Sequence, residues 1–334
     1  MTAVMLSTFA FSSCQKHQDV VPADSTPVET LKADVGVVNG MLAFKSAGIY
    51  DTHLEKMKNI PANVDETQFL TKLETDLGFE SKRSLVANKV SSPNGRTLAD
   101  EGILDEHLAS ILNKDNMVQI DKWIFKLDLK GKKCYVLPTK YATGELLEKM
   151  KSNNPAGEKV MLYSTEEDVL DLLAENKTSS MKSGKVNGLF GNDAKLDYYA
   201  YYDQATGVIY DNDDRGKMDC KVVYQRAAIY FSLQAKIKYH VKTSSGLYIQ
   251  TQAPLCIDYV VIKFDSKRNS IGERDYSGRA NDCDFDPEVS HRPYENIRGL
   301  NKYWYEVIFS MGGSGTIGGG LAIYVRNFGI KDGY

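Results

Sequence analysis

The chain lacks the features that mark most recognisable activities. Its five cysteines include no Cys-x-x-Cys pair, which leaves a zinc knuckle or a thioredoxin-type redox site without support. Its five histidines (His17, His53, His107, His240 and His291) include no His-Glu-x-x-His, and neither Gly-x-Ser-x-Gly nor a P-loop occurs, so the common hydrolase and nucleotide signatures are missing. Lys and Arg total 41 against 44 Asp and Glu, a net charge of −3, without the basic field of a nucleic-acid binder. Beyond the N-terminus no apolar stretch approaches the ~20 residues of a transmembrane helix. No metal, cofactor or nucleic acid is therefore expected, no residue takes a catalytic role, and the ligand-binding residues stay unassigned. One enzymatic alternative survives. A glycosidase needs only two carboxylates at the right separation, which keeps a surface hydrolase or glycan-processing accessory with a carboxylate-based site as the second reading.

Against these absences stand 334 residues, 42% hydrophobic and 25% charged, the profile of a globular protein with room for about two domains. Tyrosine is the one excess, 20 against 12 Phe and 2 Trp. Its ring packs while its hydroxyl stays hydrated, so Tyr-rich β-structure is the plain expectation and a ligand platform at Tyr198–Tyr202 the sharper one.

An apolar, small-residue run from Met1 ends on Ser12-Ser13-Cys14, which resembles the lipobox of bacterial lipoproteins. The resemblance implies that Cys14 is acylated, becomes the mature N-terminus and anchors a soluble body to a membrane. Two or three acyl chains, at about 0.8 kcal/mol per buried CH₂, hold firmly. Residues 1–13 carry no Lys or Arg and are short for a complete signal, so they are read as a truncated signal segment. Residues 14–34, with Pro22, Pro27 and several charges, have the composition of a solvated tether. Four other thiols remain: Cys134, Cys220, Cys256 and Cys283. An exported protein can form disulfides; buried free thiols are the plain expectation, and the sequence assigns no pairing.

Residues 35–176 read as an N-terminal α+β domain. Asn39-Gly40 predicts a type I′ turn in a hairpin over 35–44. Ser46 predicts a helix to about Lys58. Asn63, with Glu66 three positions on, predicts a capped helix stopped by Gly78, and a further helix is expected from Thr97 to about Leu112. Trp123, Phe125, Leu127 and Leu129 alternate with Ile124, Lys126, Asp128 and Lys130 into a hairpin that returns through Tyr135 and Leu137. Val160–Tyr163 reads as a strand, followed by a capping box at Ser164 and Glu167 that opens a helix through Leu173.

Residues 177–195, rich in Gly, Ser, Asn and Lys, are the expected linker. Residues 196–334 then switch to period two. From Ala227 every second residue is apolar to Val241, while Ser232, Gln234, Lys236, Lys238, His240 and Lys242 intervene. One strand of that length would span ~50 Å, so a bend or bulge is expected within it. The pattern predicts a dry odd-numbered face, a wet even-numbered face and a C-terminal antiparallel β-sandwich.

Three motifs fail on context. Gly313-x-Gly315-x-x-Gly318 precedes a strand where a dinucleotide fingerprint opens a helix, so it is a hairpin tip. Asp211-Asn-Asp213-Asp214 lacks the later ligands of a calcium loop. Asp282, Asp284, Asp286 and Glu288 are interrupted by Pro287. Both acidic stretches are read as solvated loops.

Asn39-Gly-Met-Leu-Ala-Phe44, Leu77-Gly-Phe-Glu-Ser-Lys-Arg83 and Ile111-Leu-Asn-Lys-Asp-Asn-Met-Val-Gln-Ile120, in this order, resemble uncharacterised secreted or surface lipoproteins of Bacteroidetes over residues 35–140. The family pattern has Gly after Gln-Ile where this chain has Asp121. The resemblance implies export and brings no catalytic residues. The resulting expectation is a lipid-anchored protein of the outer membrane or cell surface, bound to the membrane by its N-terminal lipid, with a non-catalytic binding role towards a glycan or protein.

Overall fold

The computed structural model describes residues 33–60, 64–89, 97–152, 155, 157, 159–176, 198–201, 204–210, 216–266, 274–275, 282–286, 288–300, 303–317 and 320–332, several C-terminal strands by their backbone alone. Cys14, the expected tether over 14–32, the expected linker over 177–195 and the acidic stretch at 211–215 lie outside the described residues.

The N-terminal part begins as the sequence indicates. β1 (Val35–Val38) and β2 (Met41–Phe44) pair through a turn in which Asn39 and Gly40 both have positive φ (49° and 72°), as a type I′ turn requires. Ser46 accepts from the Ile49 amide and starts α1 (Ala47–Lys58). α2 (Glu66–Leu77) is capped by Asp65, which accepts from Gln68 N, and ends at Gly78 in the left-handed region. The expected cap at Asn63 is therefore displaced by two residues, and Glu66 opens the helix. Ser81 then caps a helix with no apolar periodicity, α3 (Lys82–Lys89).

The single helix expected over 97–112 is two elements. A 3₁₀ turn at Ala99–Glu101 stops at Gly102 (φ 78°), and Asp105 caps a short α4 (Glu106–Ile111). Gly102 sits against Leu129 and Lys130, where a Cβ would meet the Leu129 side chain at 3.0 Å. Close approach and left-handed backbone together explain the break.

β3 (Met117–Ile120), β4 (Trp123–Asp128), β5 (Lys133–Pro138) and β6 (Met161–Ser164) complete a six-stranded sheet in the order β1-β2-β3-β4-β5-β6, antiparallel except for β2 against β3. Asp121 holds φ 55° in the β3–β4 turn, the backbone that a Gly there would adopt freely. One sheet face packs with α1, α2 and α4 into an apolar core that includes Phe44, Tyr50, Leu108 and Phe125. The other face carries Met41, Met117, Ile124 and Tyr135 beneath α5 (Gly144–Lys151). Ser164 and Glu167 form a turn, with Glu167 accepting from Ser164 N. The following helix, α6 (Val169–Ala174), starts later, after Asp168.

The C-terminal part forms two further sheets. The first runs β11 (Tyr248–Gln250), β10 (Phe231–Lys242), β9 (Gly216–Arg226), β8 (Gln204–Tyr210), with β15 (Glu288–Asn296) also paired to β10. The second runs β13 (Arg274–Asp275), β12 (Ala253–Ser266), β16 (Tyr303–Ile317), β17 (Gly320–Asp332), β7 (Tyr198–Tyr201), with β14 (Asp282–Asp286) on β12. All these pairs are antiparallel except β7 on β17. The fold is α+β, with predominantly antiparallel sheets. Gly313 and Gly315 lie within β16, which pairs with β17 up to Ile317 opposite Gly320, so they belong to a strand, and Gly318 lies outside the described residues. Cys134 and Cys220 are buried free thiols, and burial pushes both pKa values up. Cys256 is disulfide-bonded, and the residue opposite it in β14 is Cys283.

The alternating run behaves differently from its expected wet and dry faces. Phe231, Leu233, Ala235, Ile237 and Tyr239 enter a second core with Val222, Tyr224, Leu255 and Ile257. Ala227–Tyr230 leave the strand, with Ala228 at φ 63°, and plug into the N-terminal core. The even-numbered face does not begin in water: Ser232 and Gln234 are buried, Lys236, Lys238 and His240 are half-buried, and Lys242 is exposed. That face meets the helices of the N-terminal part.

Candidate functional site: a buried ionic cluster between helices and sheet

Each member of the cluster is placed by a helix start or a strand face. Asp105, as the α4 cap, accepts from His107 N at 2.9 Å and so orients both side chains at the start of the helix. Glu66 arrives at the first residue of α2. Tyr230 comes from just before β10, Ser232 from its start, and Arg292 and Glu295 from β15. The β10–β15 pairing shifts register between Leu233/Tyr294 and Ala235/His291, one extra residue in β15. Alternation would put positions three apart on opposite faces; the bulge brings Arg292 and Glu295 onto one.

Arg292 is the hub. Its Nε donates to Asp105 Oδ2 at 3.2 Å, and its Nη2 reaches Asp105 Oδ1 at 3.1 Å and Glu66 Oε1 at 3.0 Å. The Tyr230 hydroxyl donates to Asp105 Oδ2 at 2.9 Å, and the Ser232 hydroxyl donates to the same oxygen. His107 Nδ1 lies 2.9 and 3.1 Å from the Glu295 oxygens. His107 Nε2 lies 3.0 Å from Glu66 Oε1 and 3.1 Å from Arg292 Nη1.

The side chains of Asp105, His107 and Glu295 are fully buried, and that of Glu66 is 25% exposed. Burial alone would raise the carboxyl pKa of Asp105, but Arg292 and His107, helped by the Ser232 hydroxyl, hold it well below the usual range. Burial works the same way on Glu66, and the His107 hydrogen bond and Arg292 likewise hold it low. For His107, burial and the Arg292 charge push downwards, yet Glu295 and Glu66 leave its pKa raised above 6.5. With His107 charged, it shares with Arg292 the neutralisation of the three carboxylates, with Lys236 also acting on Glu66; with it neutral, that share falls to Arg292 and Lys236.

A second polar layer follows along the same face. Lys236 pairs with Glu288 and approaches Glu106 at 3.6 Å. Lys221 donates to Leu104 O at 3.1 Å, and Gln225 accepts from Leu104 N at 2.6 Å. The segment 102–105 is thus bonded to the sheet at both backbone and side-chain level.

Chemically the cluster holds general-acid/base residue types in a space already filled by their own partners. It binds the two parts of the molecule to each other. From the sequence, Glu66 reads as the partner of a different cap, His107 as a histidine outside any metal motif and Ser232 as a wet-face position, and none of the three is placed in a shared site. Asp105-Glu-His107 ahead of an apolar run carried a cap signal; nothing local tied it to Arg292 and Glu295, nearly 190 positions on.

The other sequence-identified positions fall elsewhere. Tyr198–Tyr201 form β7 on β17, with side chains outside the described residues. Asp282–Asp286 form β14, described by backbone only. Among the described residues the most exposed large apolar side chains are Leu247 (68%) and Ile249 (55%), at the β10–β11 hairpin on the sheet edge. Gly246 (φ 84°) and the Thr243 hydroxyl, which accepts from Leu247 N at 3.1 Å, shape that turn. Tyr248 between them lies 5.2 Å from the Lys217 ammonium and 5.6 Å from that of Lys242.

Neither a protein-family model nor a curated protein sequence matches the chain. Among solved structures, a DUF4848 family protein from Bacteroides thetaiotaomicron is similar over 89% of this chain and 99% of that one, at 10% identity and a TM-score of 0.22. That neighbour belongs to an uncharacterised Bacteroidetes family. At this identity and TM-score the likeness carries no argument about fold or function.

Proposed function

We propose that this is a lipid-anchored protein of the cell envelope, held through Cys14 at the outer membrane or cell surface, whose C-terminal β-part offers a non-catalytic interaction surface to a glycan or protein. One observation carries the reading: the β10–β11 hairpin presents Leu247 and Ile249 to solvent on either side of Tyr248, flanked by two lysines. Exposed apolar side chains around an amphipathic ring at a sheet edge suit recognition better than packing. The disulfide at Cys256 fits an oxidising compartment and so favours export. The two C-terminal sheets are read as a sandwich forming its own domain after residue 195, because the second core draws on β9 and β10 from one sheet and β12 from the other.

The test uses the full chain, screened on a glycan array and against envelope proteins. Saturable binding that Leu247→Asp abolishes, with the melting temperature unchanged, is the expected result. Saturable hydrolysis of a glycoside, ester or peptide, lost on replacing one Asp or Glu, would instead favour the surface-hydrolase alternative.

A further inference from the structure

His107 Nε2 has two neighbours that want opposite things from it. Glu66 Oε1 at 3.0 Å is an acceptor and needs a proton on Nε2; Arg292 Nη1 at 3.1 Å is a donor and needs a lone pair there. One nitrogen serves one of them at a time. Its partner atom has no such choice, since Nδ1 faces both oxygens of the fully buried Glu295 and keeps its hydrogen in either charge state. The proton that leaves a charged imidazole is therefore the one on Nε2.

We propose that His107 Nε2 is a two-position switch, trading Glu66 for Arg292 when the imidazole loses its proton, and that the trade loosens the N-terminal end of α2. Glu66 is the member able to move. It is the most exposed carboxylate of the trio, and its remaining donors are Arg292 Nη2 and the Ser290 hydroxyl at 3.2 Å. Along α2 only Leu70 and Glu74 are buried, and Glu74 is tied near the other end by Arg83. At the start of α2, Glu66 is the side chain hydrogen-bonded to the sheet, and half-buried Phe69 packs against the core beside it.

The groups facing the imidazole fix the direction. From α4 come Asp105 and Glu106, from β10 Lys236, and from β15 Arg292, Glu295 and Glu288. From α1, Tyr50 is buried with its hydroxyl unpartnered, and His53, also buried, is pushed down to about 4 by burial and by nearby Lys56, so it stays neutral across the range that matters. Glu66 and Asp105, both depressed, stay charged there as well. His107, with its pKa raised, is the member of the cluster that changes charge. Its contribution is complete below the unfolded value of about 6.5 and is lost as pH rises through the higher folded value.

The experiment is hydrogen exchange on the full chain across about pH 6 to 9, corrected for intrinsic rates, together with the ¹⁵N shift of His107 Nε2. Protection of the Gln68 and Phe69 amides of α2, which donate to Asp65, should fall about tenfold relative to those of β4, the scale of one charged hydrogen bond, as Nε2 moves to its unprotonated shift. In Glu66→Gln the side-chain amide can donate to neutral Nε2, so the pH gradient should flatten. Protection of α2 that tracks β4 at every pH, an equal gradient in Glu66→Gln, or an Nε2 that keeps its proton in the neutral ring would overturn the switch.

Discussion

Odd-numbered residues of β10 meet Val222, Leu255 and Ile257 in an apolar core, whereas on the opposite face the Ser232 hydroxyl donates to the α4 cap Asp105 and Gln234 is buried with its side-chain nitrogen unpartnered. Water is excluded from both sides at this end of the strand, but different forces hold them. The odd face gains from area removed from water, which tolerates small shifts in position. The even face gains only if every donor meets its acceptor, because an unpaired group in the same space costs more than a lost contact. A polar-apolar alternation therefore reports two environments, and only the partner on the polar side decides whether that environment is solvent. Further along the strand the cover thins: the Lys236 side chain is 12% exposed and that of Lys238 35%, and Lys242 is exposed beside Tyr248.

Removing the hub of the even face should have the largest effect. Arg292→Ala leaves Asp105, Glu66 and Glu295 around one histidine, and should destabilise by about 4–5 kcal/mol, the cost of stripping one partner from a buried charge network. Urea unfolding measures it, and a loss below about 1 kcal/mol would mean the cluster is hydrated in solution. On the odd face, Phe231→Ala removes a fully buried ring and should cost about 3–4 kcal/mol by transfer and cavity terms. If the two variants ranked the other way by a wide margin, the apolar face would be the stronger of the two.

How far the sequence shows this architecture depends on distance along the chain. Asn39-Gly40, Ser46 and the Trp123 hairpin are legible because the deciding interaction spans a few residues. Caps are legible in kind but not in place. Asp65 and Asp105 outcompete Asn63 and Thr97, the first through its bond to Gln68 N and the second with Gly102 breaking the helix before it. α3 had no apolar period to read; it starts on the Ser81 hydroxyl and is tied to α2 through Arg83 and Glu74. The ionic cluster was the least legible of all. It joins positions 66, 105 and 107 to 292 and 295, and a β-bulge reverses the alternation that would have placed Arg292 and Glu295 on opposite faces.

Lys236 sharpens the comparison at the point where the even face begins to open. A lysine on a wet face would move stability by less than about 0.5 kcal/mol when cut to alanine, which is what the alternation alone suggests. With its side chain mostly covered and bonded to Glu288, Lys236→Ala should cost about 1–2 kcal/mol, within the range for a hydrogen bond to a charged group. Its effect should shrink in a Glu288→Gln background, because the two side chains share one interaction. Additive effects would place Lys236 in solvent.

Ser232 gives the smallest effect and the cleanest contrast, since Phe231 beside it faces the other way. Its hydroxyl is one of several donors on Asp105, the others being Tyr230, Arg292 and the His107 amide. Ser232→Ala removes one donor and leaves the carboxylate otherwise satisfied, so the cost should be about 1 kcal/mol. The variant should also weaken the response to a second cut. Asp105→Asn, which halves the charge-assisted bonding at the same site, should cost less in the Ser232→Ala background than in the parent, as expected of residues in one network. On a solvent-facing strand position the same serine would be silent, and the two substitutions would add. A silent, additive Ser232→Ala would return the even face of β10 to water and dissolve the difference between its two sides.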